Sequence, residues 1–514
     1  MKKIVLLNSA FLILHSALFA QSPNWQWAKG IGGTGGDFGG AIAIDASGNV
    51  YTTGSFNGTV DFDPGAGIFN LTGGGTFISK LDSTGNFIWA KAIVGTTNYY
   101  GGSIAIDPAG SGNVYTTGDF VGTADFDPGA GIFNLTAAGG RDFFISKLDS
   151  SGNFVWAKAM GGTSDDGGHS IAIDPSGSGT VYTTGIFEGT ADFDPGAGVF
   201  NLTSAGWRDI FISKLDSSGN FVWAKAMGGT GDNQGRSIAI DPAGSGDVYT
   251  TGFFYGTADF DPGAGTFNLT SAAASADIFI SKLDSSGIFV WAKSMGGTGN
   301  DYSLSIAIDP AGNGNVYTTG FFDYTADFDP GAGVFPLTVA SFGYYDIFIS
   351  KLDGSGNFVW AKAMGGMDED RGHSIALGAS GHVHVTGYFI SPSITFGSTT
   401  LTNAGYADIF IAKLDTMTII TGNNDVSASL SMTGIFPNPF SGSTVISFSL
   451  TQSQKVSLSI FDVNGRLVTT LADASFEEGE NEITWNAADV NAGIYFLRFE
   501  SASYSENRKL IVAK

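Results

Sequence analysis

The tripeptide Trp-Ala-Lys begins at Trp27, Trp89, Trp156, Trp223, Trp291 and Trp360, at intervals of 62, 67, 67, 68 and 69 residues. A period this long means that each copy is a sheet-sized unit that buries its faces against neighbours, so the repeat, not chain length, sets the domain count. The copy from Phe221 to Asp284 holds four runs rich in Val, Ile, Phe, Tyr and Thr: FVWAKAMGG, SIAID, DVYTTGFF and DIFISKLD. The links between them (DPAGSG, SSG, GGTGDNQG) supply the Gly, Asp, Ser and Pro chemistry of tight turns. Four short antiparallel strands per copy make the blade of a β-propeller, whereas solenoid coils, at about 20 to 30 residues, are too short for this period.

SIAID-like runs start at Ala41, Ser103, Ser170, Ser237, Ser305 and Ser374, and FISKLD-like runs at Phe77, Phe144, Phe211, Phe279, Phe348 and Phe410. The first Trp-Ala-Lys strand, Trp25 to Lys29, has no third strand before it, and the last third strand, Phe410 to Asp415, has no Trp-Ala-Lys after it. Pairing the two would leave no open edge. The expectation is an all-β fold: a six-bladed propeller over residues 21–416, closed by the N-terminal strand pairing with the last blade. A linker at 417–434 and a small β-sandwich at 435–514 follow, the latter from strands such as ISFSL, KVSLSIFDV and GIYFLRFE.

Residues 1–20, two lysines followed by a short interrupted apolar run ending Leu18-Phe19-Ala20, read as a signal peptide, and no later stretch is apolar enough to span a bilayer. With 24 Lys and Arg against 48 Asp and Glu, the net charge of −24 repels nucleic acid and anionic lipid. The absence of cysteine excludes disulfides, thiolate metal sites and thiol nucleophiles. The mature chain is expected to be a monomer.

The pattern SIAID, VYTTG, DPGAG and DIFISKLDSSG followed by Trp291, across Ser237 to Trp291, resembles the beta-propeller repeat (SBBP-type) of secreted bacterial proteins. Five copies match closely, and the sixth carries Ser391-Pro392-Ser393 in place of DFDPGAG. The resemblance implies the fold and almost nothing about function. The C-terminal stretch resembles the type A sorting domain of the type IX secretion system. The motifs that carry this are Pro437-Asn438-Pro439, Asp462 with Gly465 and Arg466, Gly493 with Tyr495, and the terminal run from Lys509 to Lys514. It implies the type IX machinery as a partner and a secreted or outer cell-surface destination.

Two constellations are candidate sites. The DFDPGAG loops carry five acidic pairs: Asp61 and Asp63, Asp125 and Asp127, Asp192 and Asp194, Asp259 and Asp261, and Asp327 and Asp329. On extended chain both carboxylates of a pair face one way, away from the Phe between them, which offers calcium an oxygen site or simply starts an Asp-Pro-Gly turn. The second is the crossover from the fourth strand to the next first strand, where the copies differ most. The residue before each first strand is Gly40, Gly102, His169, Arg236, Leu304 or His373, and Asp166, Asp232, Asp301, Asp368 and Asp370 stand nearby. Such a ring of unlike side chains suits the mouth of a ligand site.

Arg141 and Arg208 fall at the third strand, so the four arginines of the repeats are not expected to converge. No nucleophile can be named. The sequence therefore reads as an exported, non-catalytic scaffold binding an extracellular ligand, glycan or protein, with a glycan-directed hydrolase or lyase on the crossover face as the alternative.

Overall fold

The computed structural model describes Trp27 and residues 29–96, 102–378, 381–397, 399–414, 430–450, 453–462, 466–501 and 504–513. The expectations for the signal peptide, for Trp25, Gln26, Ala28 and Asp415 of the closing pair, for 417–429 of the linker, and for Gly465 and Lys514 lie outside the described residues. The chain divides into two compact bodies, Met1–Thr416 and Met417–Lys514. Apart from a 3-10 turn at Ala272–Ala274, the elements are antiparallel strands.

In the first body each repeat is a meander. In repeat 4 the strands Gln234–Ile240, Val248–Tyr255, Ala276–Leu283 and Phe289–Gly297 pair in chain order. Its second strand, VYTTGFFY, is buried along almost its whole length instead of on alternate residues, because a neighbouring sheet covers each face. Between repeats 3 and 4, Tyr182, Ile210, Ile212 and Met227 pack against Ile238, Val248, Phe254, Phe260 and Phe279. The same contact recurs between repeats 4 and 5 through Tyr249, Ile278, Ile280 and Met295. Truncating any of these residues to Ala costs about 2–5 kcal/mol, since transfer and cavity terms add.

Polar contacts repeat with the same period. Trp89, Trp156 and Trp223 Nε1–H donate to the carbonyls of Ser150, Ser217 and Ser285 in the next repeat's hairpin turn, at 3.2, 3.2 and 3.4 Å. Along the first strands, the amides of Ile171, Ile238, Ile306 and Ile375 donate to Ser103, Ser170, Ser237 and Ser305 Oγ of the preceding repeat. The DFDPGAG loop is a latch: in repeat 4, Thr257–Asp259 pairs with Asn268–Thr270 and with Gly228 and Gly229 of repeat 3, and Phe260 enters the shared core.

Trp27 and Gly32–Gly33 stand towards repeat 1 as a fourth strand of a preceding repeat would. Trp27 Nε1–H donates to the Ser83 carbonyl at 3.1 Å, and Gly32 and Gly33 pair with Asp61 and Val60. Among the described residues, Asp408–Leu414 of repeat 6 pairs only with Val383–Phe389. Ile409 and Ile411 are 79% and 64% exposed, and Ile42 and Ile44 of repeat 1 are 65% and 64% exposed, whereas their counterparts Ile278, Ile280, Ile238 and Ile240 are at most 8% exposed.

In the second body, Leu430–Phe436, Ser443–Leu450 and Gly479–Asn486 form one sheet. Leu467–Phe476, Gln454–Asp462, Gly493–Ser501 and Tyr504–Val512 form another, and the two share a core that includes Phe448, Trp485, Leu458 and Leu497. The first of these strands starts inside the stretch read as linker, because Leu430 pairs with Leu450 and Met432 with Phe448. Asn438 pins the last strand, its Nδ2–H donating to the Lys509 carbonyl and its Oδ1 accepting from the Ile511 amide, both at 2.9 Å.

Three of the four junctions from repeat 2 onward bury a carboxyl pair under the crossover: Asp142 with Asp166, Asp277 with Asp301, and Asp346 with Asp370. Asp142, Asp277 and Asp346 each have a buried Oδ1 that accepts no hydrogen bond among the described residues. Between repeats 3 and 4 the second member is Asn233, whose Nδ2–H donates to Asp209 Oδ1 at 3.1 Å. Burial, reinforced in Asp166 by Asp142 and in Asp346 by Asp370, pushes Asp142 and Asp346 up to about 6 and Asp166 and Asp277 up to about 7, with Asp301 well above the ordinary carboxylate range. Repulsion between two adjacent buried carboxyls favours the protonated form of one of them, where the junction of repeats 3 and 4 places the neutral Asn233 amide instead.

The folded state thus binds protons that the unfolded chain releases near pH 4. The stabilisation is complete below that value and is lost as pH rises towards about 7. Glu188 beside Asp166 and Asp323 beside Asp301 act in the same direction. The melting temperature should be higher at pH 5 than at pH 8, and replacing Asp166, Asp301 and Asp370 by Asn should flatten that dependence; calorimetric scans across this range check it.

Candidate functional site

The first strand of a repeat carries a bulge next to its recurrent Ser or Ala. The ladder slips between Gly39 and Ala41, Gly168 and Ser170, Gly235 and Ser237, Ser303 and Ser305, and Gly372 and Ser374. The extra residue is Gly40, His169, Arg236, Leu304 or His373, and a bulge re-aims the residue it inserts. Glycine precedes it in repeat 4 for a reason: a Cβ on Gly235 would lie 2.4 Å from Thr184 Oγ1 of repeat 3.

These five residues line one cavity of about 530 Å³, together with Phe253, Tyr302, Phe321, Tyr345 and Arg371. A second cavity of about 460 Å³ adjoins it through His169 and Arg236, and Gly102, Asp119, Arg141, Asp165, Asp166 and Arg208 line its far part. All six crossover positions singled out in the sequence therefore border this pair of cavities. Asp232, Asp301, Asp368 and Asp370 line neither. Asp301 and Asp370 are spent beneath the crossover, accepting from the amides of Gly297 and Gly366 at 2.8 Å. Asp232 accepts from Gln234 Nε2, and Asp368 from the Glu369 amide.

The arginines depart from expectation. Arg141, Arg208, Arg236 and Arg371 all border the cavities: Arg236 and Arg371 from first strands, and Arg141 and Arg208 from the position just before the buried Asp142 and Asp209 of a third strand. Arg208 pairs with Glu188 at 2.7 Å, Arg371 with Glu369 at 2.8 Å, and Arg141 approaches Asp119 at 3.7 Å. Arg371 lies 4.4 Å from the Phe321 ring centroid and 5.2 Å from that of Tyr345, and Arg236 lies 5.5 Å from that of Phe253. Phe253, Tyr302, Phe321 and Tyr345 form a continuous wall with successive centroids 4.7, 5.0 and 4.8 Å apart.

His169 Nδ1 lies 2.8 Å from the Gly235 carbonyl, which can only accept, so Nδ1 carries the proton and Nε2 is an acceptor. Burial, then the charge of Arg236, pushes this imidazole down to about 3, so it stays neutral. Burial raises Asp119 to about 6 against the pull of Arg141.

Asp119, Phe253 and Phe321, not singled out in the sequence, all follow the TTG of a second strand. That position reads Ser55, Asp119, Ile186, Phe253, Phe321 and Tyr388 along the chain, a second row of variation beside the crossover.

The loop carboxylates, offered by the sequence as a calcium site or as the start of a turn, are each turned onto the backbone of their own loop. Asp61, Asp125, Asp192, Asp259 and Asp327 use Oδ1 to accept from two amides. One belongs to the second Asp of the pair and the other to the Phe eight residues on, as Asp259 does from Asp261 at 3.0 Å and Phe267 at 2.8 Å. The second members close the Asp-Pro-Gly turn instead. Asp63 Oδ1 accepts from the Gly65 amide, Asp127 from Gly129, Asp194 from Gly196, Asp261 from Gly263 and Asp329 from Gly331, each at 2.8 Å. The physical reason is local: an Asp two residues before a glycine amide satisfies that donor with its own Oδ1. Among the described residues no group of three or more His, Asp or Glu side chains is placed to hold a metal ion.

The chain is similar to an uncharacterized WD repeat-containing protein of Acanthamoeba polyphaga mimivirus, 24% identical over 475 residues, covering 76% of this chain and 33% of that protein. It is also similar to the regulatory protein FlaEY of Caulobacter vibrioides, 26% identical over 160 residues, covering 31% of this chain and 16% of that one. The chain thus spans a third or less of either relative's length. A solved fungal alcohol oxidase of the AA5 family, in complex with copper, aligns over 92% of this chain and 96% of its own at 12% identity, but with a TM-score of 0.29 that carries no likeness of fold. Residues 434–513 match the secretion system C-terminal sorting domain, and the second body is therefore such a domain, the address of a secreted or cell-surface protein handled by the type IX machinery.

Proposed function

We propose that this chain is an exported binding protein whose six repeats close into a propeller and hold an extracellular ligand in the paired cavities of the crossover face. One observation carries the reading. The contacts between repeats are nearly the same at every junction, whereas the unlike residues His169, Arg236, Leu304 and His373 are gathered at one opening. Repetition elsewhere serves the fold, and variation confined to a cavity serves recognition. Similarity to a WD repeat-containing protein supports a repeat scaffold of propeller type.

Ring closure rests on the two half-junctions at the ends of the repeats. Asp37 accepts from the Gly33 amide at 2.7 Å as Asp166 does from Gly162, and Asp408 accepts from the Ala404 amide at 2.7 Å as Asp142 does from Ala138. Joining repeat 6 to repeat 1 completes this carboxyl pair and covers Ile409, Ile411, Ile42 and Ile44. By the register Ser213↔Ala224, Ala412 then faces Ala28. In this cysteine-free chain, the pair Ala28→Cys and Ala412→Cys should oxidise to one intramolecular disulfide, seen as a non-reducing gel shift without dimer; failure to cross-link would sink the closure.

A second reading, a glycan hydrolase or lyase, draws on Asp119 and Asp166, two carboxyls raised towards neutrality in one cavity. One screen separates the readings: soluble glycans assayed for binding and for turnover with wild type, His169→Ala and Asp119→Asn. Binding without turnover, weakened in His169→Ala, is the expected result, and turnover abolished by Asp119→Asn would replace the first reading with the second.

For export, Asn438→Ala removes both bonds that seat the final strand, each worth about 1 kcal/mol. The variant should accumulate in the periplasm on cell fractionation while wild type reaches the surface or medium.

A further inference from the structure

Arg141, Arg208, Arg236 and Arg371 are all the arginines of residues 1–416. Every one borders the two adjoining cavities, and no lysine does. The lysines sit at the opposite ends of the sheets, as Lys282 does on Asp247 at 2.8 Å and Lys214 on the Ser285 carbonyl at 2.8 Å. In a chain of net charge −24, cations as such are scarce, and the planar forks have been placed where the point charges are not. A guanidinium differs from an ammonium in offering parallel donors to a carboxylate and in lying flat on an aromatic ring. Arg371 on Phe321 and Tyr345, and Arg236 on Phe253, have this second arrangement, which fixes the fork before any ligand arrives.

The rest of the opening narrows the anion. The wall of Phe253, Tyr302, Phe321 and Tyr345, its successive rings set at 86°, 43° and 70° to one another, offers aromatic faces and edges together with phenol groups, Tyr302 Oη lying 3.1 Å from Tyr255 Oη. His169 Nε2, on the seam between the cavities, asks for a hydroxyl donor, which neither a halide nor a fully ionised inorganic anion supplies. Aromatic surface, a hydroxyl acceptor and a carboxylate reader within cavities of about 500 Å³ suit a short oligosaccharide rather than a macromolecular surface.

We propose that the paired cavities bind an acidic sugar, a pyranose bearing a carboxylate: Arg236 and Arg371 read the carboxylate, the Tyr302 and Tyr345 wall takes the ring face, and His169 Nε2 accepts from a ring hydroxyl. This rests on the binding reading above and names its ligand class. Arg141 and Arg208, held by Asp119 and Glu188, extend the same recognition to a second acidic residue along the chain of sugars.

The test is calorimetric titration of the full chain with tetramers of galacturonate, glucuronate and mannuronate, with the methyl-esterified and neutral galactose tetramers, and with poly-glutamate. At least one acidic tetramer should bind, about tenfold or more tighter than its esterified form, with affinity falling as salt rises. Arg236→Lys and Arg371→Gln should each lose about tenfold on the acid and little on the ester, at unchanged melting temperature. Equal binding of acid and ester, equal binding of poly-glutamate, or no binding of any acidic tetramer overturns the proposal. Neutral or esterified tetramers that bind and are lost in His169→Ala overturn the acidic class alone and leave the binding reading standing; if no sugar binds at all, the sugar class itself falls.

Discussion

Everything in the repeat body depends on one contact, the burial of each sheet's two faces between its neighbours. Ile210, Ile212 and Met227 on one side and Phe254, Phe260 and Phe279 on the other are wholly or almost wholly buried only because the adjacent repeat is present. A single repeat would expose both surfaces to water, so no repeat is an independent folding unit and stability is shared along the array. The polar latches, Trp Nε1 to the next turn and Ser Oγ to the next first strand, add register rather than bulk stability. They fix the rotation from one sheet to the next, and with it the positions at which first strands face the cavities.

The site follows from that rotation through the bulge. Without the slipped residue, the side chains of the first strand would alternate between the two inter-repeat cores and none would face the opening. The bulge adds one residue outside the alternation, which can change from Gly to His, Arg or Leu without disturbing a core. Structural constancy and chemical variation thus occupy neighbouring residues, Ser237 bonding the next repeat while Arg236 faces the cavity. The buried carboxyl pairs lie just beneath and close the crossover loops from below.

Much of the architecture was legible in the chain: the period, the four strands, the turn chemistry, the division before the sorting domain, and the variable position before each first strand. The arginines were not. Arg141 lies within the third strand of repeat 2 and Arg208 just before that of repeat 3, each one residue ahead of a buried Asp, and it is there that the third strand meets the cavity. The position after TTG was visible as variation in Ser55, Asp119, Ile186, Phe253, Phe321 and Tyr388, but nothing in a strand's own pattern says which sheet edge abuts the opening. The Asp residues of the crossover, grouped by proximity in sequence, separate in space, Asp166 bordering a cavity and Asp301 and Asp370 turned under the loop. In the DFDPGAG loops the residue types allowed a cation or a turn alike, and the backbone amides of Gly65, Gly129, Gly196, Gly263 and Gly331 draw one oxygen of each second Asp into a turn.

By itself the sequence determined the repeat, its strands and its address, because these depend on local periodicity, turn residues and contiguous motifs that one segment carries alone. Only the tertiary structure decided which residues share a cavity, since that depends on stacking sheets whose members are some 67 residues apart. It also decided which carboxyls are pushed up towards neutrality, Asp166 and Asp301 among them, because burial, not sequence, sets the cost of a charge.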